Sequence, residues 1–157
     1  MRIETQRHGY IEVDPNEFLT FEEGIIGFSQ CKQYAPIGNS QRSPFIYLQA
    51  ITRPDVGFVV TDPLIFVPDY TFKLELSDLE EIGARSAAEV NILTIMNKVE
   101  DILTTNLMGP LIINPSSRLA KQLVLSISKY NTRHPIMQVP KGQSPEENPW
   151  GRNAGLN

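Results

Sequence analysis

The chain of 157 residues is long enough for one domain with its own core, and 41% hydrophobic against 20% charged residues is a globular composition. Cys31 is the only cysteine, which excludes an internal disulfide, and no apolar run reaches membrane-spanning length. The N-terminus lacks the apolar region of a signal peptide. We therefore expect a soluble protein of a reducing, cytoplasmic compartment.

Charge is distributed unevenly about the formal net charge of −4. Residues 1–117 carry eight basic and sixteen acidic side chains, whereas residues 118–157 carry six basic and two acidic ones. An acidic body repels phosphate backbones, so direct binding of nucleic acid is disfavoured. The same body attracts basic proteins, although surface charge more commonly serves only to keep a protein soluble.

Short apolar runs separated by prolines predict a mainly β fold, which we expect to be a small single-domain antiparallel β-barrel-like fold with one or two short helices. The predicted strands include residues 10–13, 45–48, 57–61, 72–76, 91–95 and 111–113. Residues 72–76 alternate apolar and charged side chains most clearly, as a half-solvated strand requires. Residues 111–113 are apolar on both faces and predict a central strand.

Helices are expected to be few and short. Residues 77–82 begin with a serine and carry glutamate three places later, which predicts a capping box, and Gly83 is suited to end the helix. Apolar spacing in residues 27–34 predicts one or two further helical turns. Residues 119–127 fit a helix face and a strand face equally well, and the pattern alone does not decide between them.

Signatures of catalysis and metal binding are absent. The chain has no glycine-rich phosphate loop, no nucleophile elbow and no paired-cysteine zinc spacing. His8, His134 and Cys31 are far apart in sequence. We predict no cofactor, no metal and no enzyme activity. Two alternatives stay open: a small β-barrel hydrolase, which a deep pocket with convergent titratable groups would favour, and a small-ligand or peptide sensor, which an apolar cavity would favour.

Three stretches carry a family resemblance. Residues 21–28, FEEGIIGF, match the pattern F-x-x-G-(apolar)-x-G-F, and residues 58–70 contain FVVTDP followed by FVPDY. Residues 105–114 read TNLMGPLIIN, and further matches follow at residues 122–125 and 130–136. In this order, the stretches resemble the FliW family of flagellar assembly factors. The resemblance defines a domain at residues 1–137 and leaves residues 138–157 as an expected flexible C-terminal tail.

The resemblance implies a fold and a function. FliW proteins are compact β-barrel-like cytoplasmic proteins that bind flagellin and, in competition with it, CsrA, a small basic RNA-binding repressor of translation. Export of flagellin releases the protein to bind CsrA, which lifts repression of flagellin synthesis. We accordingly expect flagellin and CsrA as partners of a monomer that binds neither nucleic acid nor membrane directly.

Matched positions divide into expected partner contacts and expected framework residues. The contact candidates are Asp62, Asp69, Tyr70, Asn106 and Leu107. The framework candidates are Gly24, Gly27, Phe28, Pro63, Phe66 and Pro110. On physical grounds, we expect Gly24 and Gly27 to adopt positive φ. We expect the side chains of Asp62 and Asp69 to cap turns, and the side-chain amide of Asn106 to hold its loop in place. The rings of Tyr70 and Tyr130 are expected to pack with their hydroxyls in solvent. Leu107 and its neighbour Met108 suit either the core or a loop tip, and Ile25, Ile26 and Phe28 suit either the core or an exposed patch.

Overall fold

The computed structural model describes residues 1–38, 43–126 and 128–139. Within them the chain forms strands β1 (Arg2–Thr5), β2 (Gly9–Glu12), β3 (Leu19–Phe21), β4 (Gln33–Ile37), β5 (Phe45–Ala50), β6 (Gly57–Thr61), β7 (Asn91–Val99), β8 (Ile102–Thr105), β9 (Leu111–Asn114), β10 (Leu119–Gln122) and β11 (His134–Gln138). Helix α1 spans Leu76–Glu81, and short 3-10 turns occupy Pro15–Glu17, Pro63–Ile65 and Ala87–Glu89. The predicted mainly β fold is confirmed.

Seven strands close into a barrel in the order β9, β10, β3, β4, β5, β6, β7, and pairing of β7 with β9 completes the circle. The predicted central strand at residues 111–113 is confirmed, because β9 pairs with β10 on one side and with β7 on the other. One pair departs from the antiparallel prediction: β10 runs parallel to β3, with Leu119 opposite Thr20. The long connection between these two strands makes a parallel pairing possible.

Strand β7 is longer than the barrel requires, and its excess length extends the sheet. Its first residues pair with β9, whereas residues 96–99 pair with β8, and β11 follows β8 at the edge. A separate hairpin of β1 and β2 packs on the outside through Ile3, which contacts a small cluster containing Phe18 and Ala35.

The barrel interior is filled by side chains with almost no exposed surface. Phe21, Tyr34, Leu48, Val60 and Leu111 belong to one buried cluster, together with the thiol of Cys31. Burying an aliphatic or aromatic side chain of this kind contributes about 2 kcal/mol each. Burial of this cluster therefore makes a large contribution to the stability of the barrel.

Residues 72–76 do not form the predicted strand. Phe72 and Leu74 pack towards the buried cluster around α1, and Lys73 and Glu75 face solvent, so the alternation of the sequence is real. No strand among the described residues pairs with this segment, however, and Leu76 already begins the helix. An extended segment that lies across a helix produces the same two-residue period as a strand.

Helix α1 begins one residue before the predicted cap. Its N-cap is Glu75, whose side chain makes no capping bond, and Ser77 lies within the first turn, so the predicted capping box is wrong. The end is as predicted, because the N–H of Gly83 donates to the carbonyl of Glu80 at 3.1 Å. Lys121 on β10 pairs with Asp78 at 3.1 Å and holds the helix against the barrel.

Residues 27–34 form turns and the start of β4 instead of the predicted helical turns. Gly24 and Gly27 adopt φ values of +72° and +88°, which a helix does not allow. The φ prediction for both glycines is thereby confirmed. Residues 119–127, which the pattern left undecided, contain strand β10.

The chain remains packed to the last described residue. Val139 is 6% exposed, and its N–H donates to the carbonyl of Asp101 at 2.7 Å. Residues 138 and 139 therefore belong to the body, although the expected tail was placed from residue 138. Residues 140–157 lie outside the described residues. Within the described chain, no helix has the length and apolar character needed to cross a membrane.

Candidate functional site

The segment of residues 62–70 forms an exposed lip after strand β6. Asp62 caps its first turn, because the carboxylate accepts a hydrogen bond from the N–H of Leu64 at 2.9 Å, and Pro63 supplies a suitable φ at the next position. The predicted capping role of Asp62 is confirmed. Leu64 and Ile65 project from this turn with 51% and 54% of their surface exposed.

Asp69 lies in the second turn of this lip. The turn is closed by the N–H of Tyr70, which donates to the carbonyl of Val67 at 2.9 Å. The Asp69 side chain is exposed and makes no ion pair with the described residues, and the cap predicted for it is not formed there. Phe66 stacks on Phe45 with ring centroids 6.1 Å apart, which anchors the middle of the lip.

Tyr70 joins the lip to the loop of residues 106–110. Its hydroxyl donates to the carbonyl of Leu107 at 2.7 Å, and its ring meets the ring of Tyr130 edge-on with centroids 4.7 Å apart. Tyr70 is 6% exposed, so the prediction that its hydroxyl lies in solvent is wrong. The buried carbonyl of Leu107 requires a donor, and the phenol supplies it. Burial raises the pKa of the Tyr70 hydroxyl well above its ordinary value.

Asn106 holds its loop as predicted. The side-chain oxygen accepts from the N–H of Met108 at 3.1 Å and from the N–H of Gly109 at 2.9 Å. A Cβ on Gly109 would lie 2.8 Å from the Asn106 amide nitrogen and 2.9 Å from that of Gln122, so a larger residue would displace these two side chains. Leu107 has no exposed surface and Pro110 is buried. Leu107 was expected either in the core or at a loop tip, and the structure places it in the core.

Gln122 connects this loop to the first family stretch, and sequence reasoning did not single it out. Its side-chain oxygen accepts from the N–H of Ile26 at 2.8 Å, and its side-chain nitrogen donates to the carbonyl of Gly109 at 3.0 Å. The three stretches that carry the resemblance are thus joined by Gln122 and Tyr70. The sequence carried no clear signal for this role, because Gln122 directly follows the charged Lys121 in β10 and is only partly buried.

The loop of residues 24–28 divides its apolar side chains between core and surface. Ile25 is 1% exposed, whereas Ile26 is 64% exposed. Phe28 is 39% exposed and packs edge-on against Phe58, with centroids 5.2 Å apart. The sequence left open whether these side chains lie in the core or form an exposed patch. In the structure, Ile25 lies in the core, whereas Ile26 and Phe28 are exposed.

An apolar groove lies beside the lip, on either side of Leu64. It comprises cavities of about 520 Å³ and about 190 Å³, which share Leu64, Val90 and Ile92 in their walls. The walls of the larger cavity contain two charged residues, Asp62 and Arg118. No group of three or more His, Cys, Asp or Glu side chains in the described parts of the chain is arranged to hold a metal.

Fold and surface together define a class: a compact seven-stranded β-barrel protein that presents an apolar groove beside an exposed acidic lip. The profile of the FliW protein family matches residues 2–136. The chain therefore belongs to the FliW family.

Individual relatives agree with this assignment. The chain is 41% identical over 139 residues to the flagellar assembly factor FliW of Natranaerobius thermophilus, which covers 87% of this chain and 92% of that protein. It is 37% identical over 138 residues to the flagellar assembly factor FliW of Bacillus subtilis, covering 87% and 96%. A crystal structure of the flagellar assembly factor FliW superposes with a TM-score of 0.80 at 32% identity, covering 91% of this chain and 100% of that one.

Proposed function

We propose that the protein is a flagellar assembly factor that binds cytosolic flagellin and, when free of it, binds and antagonises the basic translational repressor CsrA. It works as a monomer in the cytoplasm, by binding alone, with no chemical step. The observation that carries the proposal is the family match over residues 2–136, which includes all three stretches that the sequence resemblance identified.

The groove beside Leu64 suits one of these partners. Flagellin's terminal segments form amphipathic helices when assembled, and such a helix binds by laying its apolar face into an apolar groove. The groove is lined largely by aliphatic side chains, including Leu48, Ile92 and Ile113. Leu64 stands between its two cavities with half of its surface exposed, where it would contact the middle of a bound segment.

The acidic lip suits a basic partner. Asp62 and Asp69 are exposed and make no ion pair with the described residues, so both carboxylates are available to lysine or arginine side chains. Exposed charges of this kind raise association rates and fix orientation more than they add affinity. They are screened by salt over about 10 Å at 0.1 M ionic strength.

A direct binding measurement tests the proposal. The purified chain is titrated with monomeric flagellin and, separately, with CsrA, each at low and at raised salt. We expect both partners to bind, flagellin to displace CsrA, and the CsrA complex to weaken as salt rises. Failure to bind either partner would overturn the proposal and return attention to a peptide or small ligand for the groove.

Variants assign the lip and the groove. Leu64→Ser should lower the affinity for flagellin about tenfold, which is the effect of losing one well-packed apolar contact. The double variant Asp62→Asn with Asp69→Asn should reduce the salt dependence of CsrA binding, because asparagine at position 62 keeps the cap and removes the charge. Glu4→Gln on strand β1 is the matched control, since that carboxylate is exposed on the separate hairpin. Equal effects of the control and the lip variants would exclude the lip as the site.

A further inference from the structure

A second apolar surface lies near the start of strand β6. It consists of Ile26, Phe28 and Val124, which are 64%, 39% and 59% exposed, and we refer to these three residues as the apolar ridge. Phe28 packs on Phe58 near the start of β6, and none of the three ridge residues lines either cavity of the groove. The ridge and the groove are therefore separate surfaces.

The exposure of Ile26 is imposed by the loop around it. Its backbone N–H is held by Gln122, and its neighbour Ile25 is fixed in the core. Gly24 lets the chain pass so closely that an added Cβ would lie 2.6 Å from the Cα of Ser29. Turning Ile26 inward would break the hydrogen bond between its N–H and the side chain of Gln122, so the fixed backbone favours the exposed position of the side chain.

Val124 belongs to the same surface because of strand periodicity. Side chains two residues apart in an extended chain share a face, so Val124 projects on the side of Gln122, whose amide reaches Ile26. The chain stays extended here, since the N–H groups of Leu123 and Leu125 donate to the carbonyls of Pro110 and Met108 at 2.8 Å each. The two aliphatic side chains thus flank one fixed amide.

The charge next to the ridge selects a partner. Glu22 and Glu23 directly precede the loop of residues 24–28, are exposed and make no ion pair with the described residues. A second copy of the chain docked here would bring like charges together, which disfavours self-association. A segment that combines an aliphatic anchor with lysine or arginine matches both features of the surface.

We infer that the apolar ridge is a second protein-docking surface, for a partner segment that presents aliphatic and basic side chains together. The inference rests on the proposed function only in that the molecule acts by binding proteins. Two separate docking surfaces allow one molecule to hold two partners, or two segments of one partner, at the same time.

The test uses synthetic helical peptides, so that its outcome is independent of flagellin and CsrA. One peptide carries leucine on one face and lysine on the other, and a matched peptide carries glutamate in place of lysine. Both are titrated into the ¹⁵N-labelled full chain while amide resonances are followed by NMR. We expect the leucine–lysine peptide to shift the resonances of Ile26 and Val124, and the leucine–glutamate peptide to leave them unchanged.

Matched variants separate the ridge from the groove. The double variant Ile26→Ser with Val124→Ser should lower affinity for the leucine–lysine peptide about tenfold or more at the ridge, whereas Leu64→Ser should not change the shifts there. All these side chains are exposed, so thermal stability should remain close to that of the parent. Shifts confined to the groove, or unchanged binding by the double variant, would overturn the inference. So would concentration-dependent dimerisation of the parent that the double variant abolishes, because it would assign the ridge to a second copy.

Discussion

Removal of one buried hydroxyl should reveal how strongly the lip is fixed to the barrel. Tyr70→Phe deletes the hydrogen bond to the carbonyl of Leu107 and leaves the ring packing intact. The carbonyl lies beneath a side chain that is 6% exposed, so it is left without a partner in the interior. An unsatisfied buried group of this kind costs about 1–3 kcal/mol, and we expect a loss of about 1.5 kcal/mol.

Urea denaturation measures this loss. With a slope of about 2 kcal/mol per molar urea, the midpoint should fall by about 0.7 M, and the melting temperature by about 3–6 °C. Tyr10→Phe is the control, because that side chain is 62% exposed, and its effect should stay within about 0.5 kcal/mol. Tyr130→Phe is the second control, since its exposed hydrogen bond from the N–H of Thr71 can be replaced by water. If Tyr70→Phe proves no more destabilising than Tyr10→Phe, the bond does not secure the lip.

Further substitutions test other parts of the framework. Gly24→Ala should destabilise the fold by more than about 1 kcal/mol, because the new Cβ meets the backbone of Ser29. Gly27→Ala should lose only about 1 kcal/mol, because Gly27 also has positive φ but has open space around it. Equal losses for the two variants in thermal melting would contradict the packing argument. Gln49→Leu should lose about 3 kcal/mol in urea denaturation, because the two N–H groups of its buried side-chain amide are shared among main-chain carbonyls of residues 50–56 at 3.0–3.4 Å. A loss under about 1 kcal/mol would show that those carbonyls find other partners. Burial raises the pKa of the Tyr70 hydroxyl above its ordinary value of 10.0. Above pH 10 the unfolded chain therefore loses this proton while the folded chain keeps it, so the stability that is fully present below pH 10 should decline as the pH rises further. The decline should be shallower in Tyr70→Phe by up to about 1.4 kcal/mol per pH unit, and identical slopes would contradict burial of the phenol.

Local pattern predicted the strands well and their partners poorly. The apolar runs at residues 45–48, 57–61 and 111–113 became strands because each fills the barrel interior from a short extended segment. Residues 72–76 have the same local pattern but lie across a helix, and nothing local distinguishes a hydrogen-bonded strand from an extended segment. The parallel pairing of β3 with β10 joins residues about a hundred positions apart, a separation at which sequence pattern carries no pairing information.

The connections within the candidate site are non-local in the same way. Turn chemistry at Asp62 and Asn106 was predictable, because an aspartate or asparagine side chain bonds backbone groups two or three residues away. The bonds from Tyr70 to Leu107 and from Gln122 to Ile26 cross 37 and 96 positions respectively. Only the folded barrel brings these groups together.

Several residues that carry the family resemblance are buried framework residues, and this changes where contact residues should be sought. Tyr70, Leu107, Pro63 and Pro110 are buried in the isolated molecule, so they shape the surface without forming it. The exposed apolar side chains lie between or beside such positions, as Leu64 and Ile65 do in the lip and Ile26 does in its loop. A framework that fixes the backbone while its intervening side chains face outward lets those side chains differ without disturbing the fold. Partner selectivity in this chain should therefore follow the exposed residues, Asp62 and Asp69 among them, whereas substitutions at the buried motif positions should act chiefly through stability.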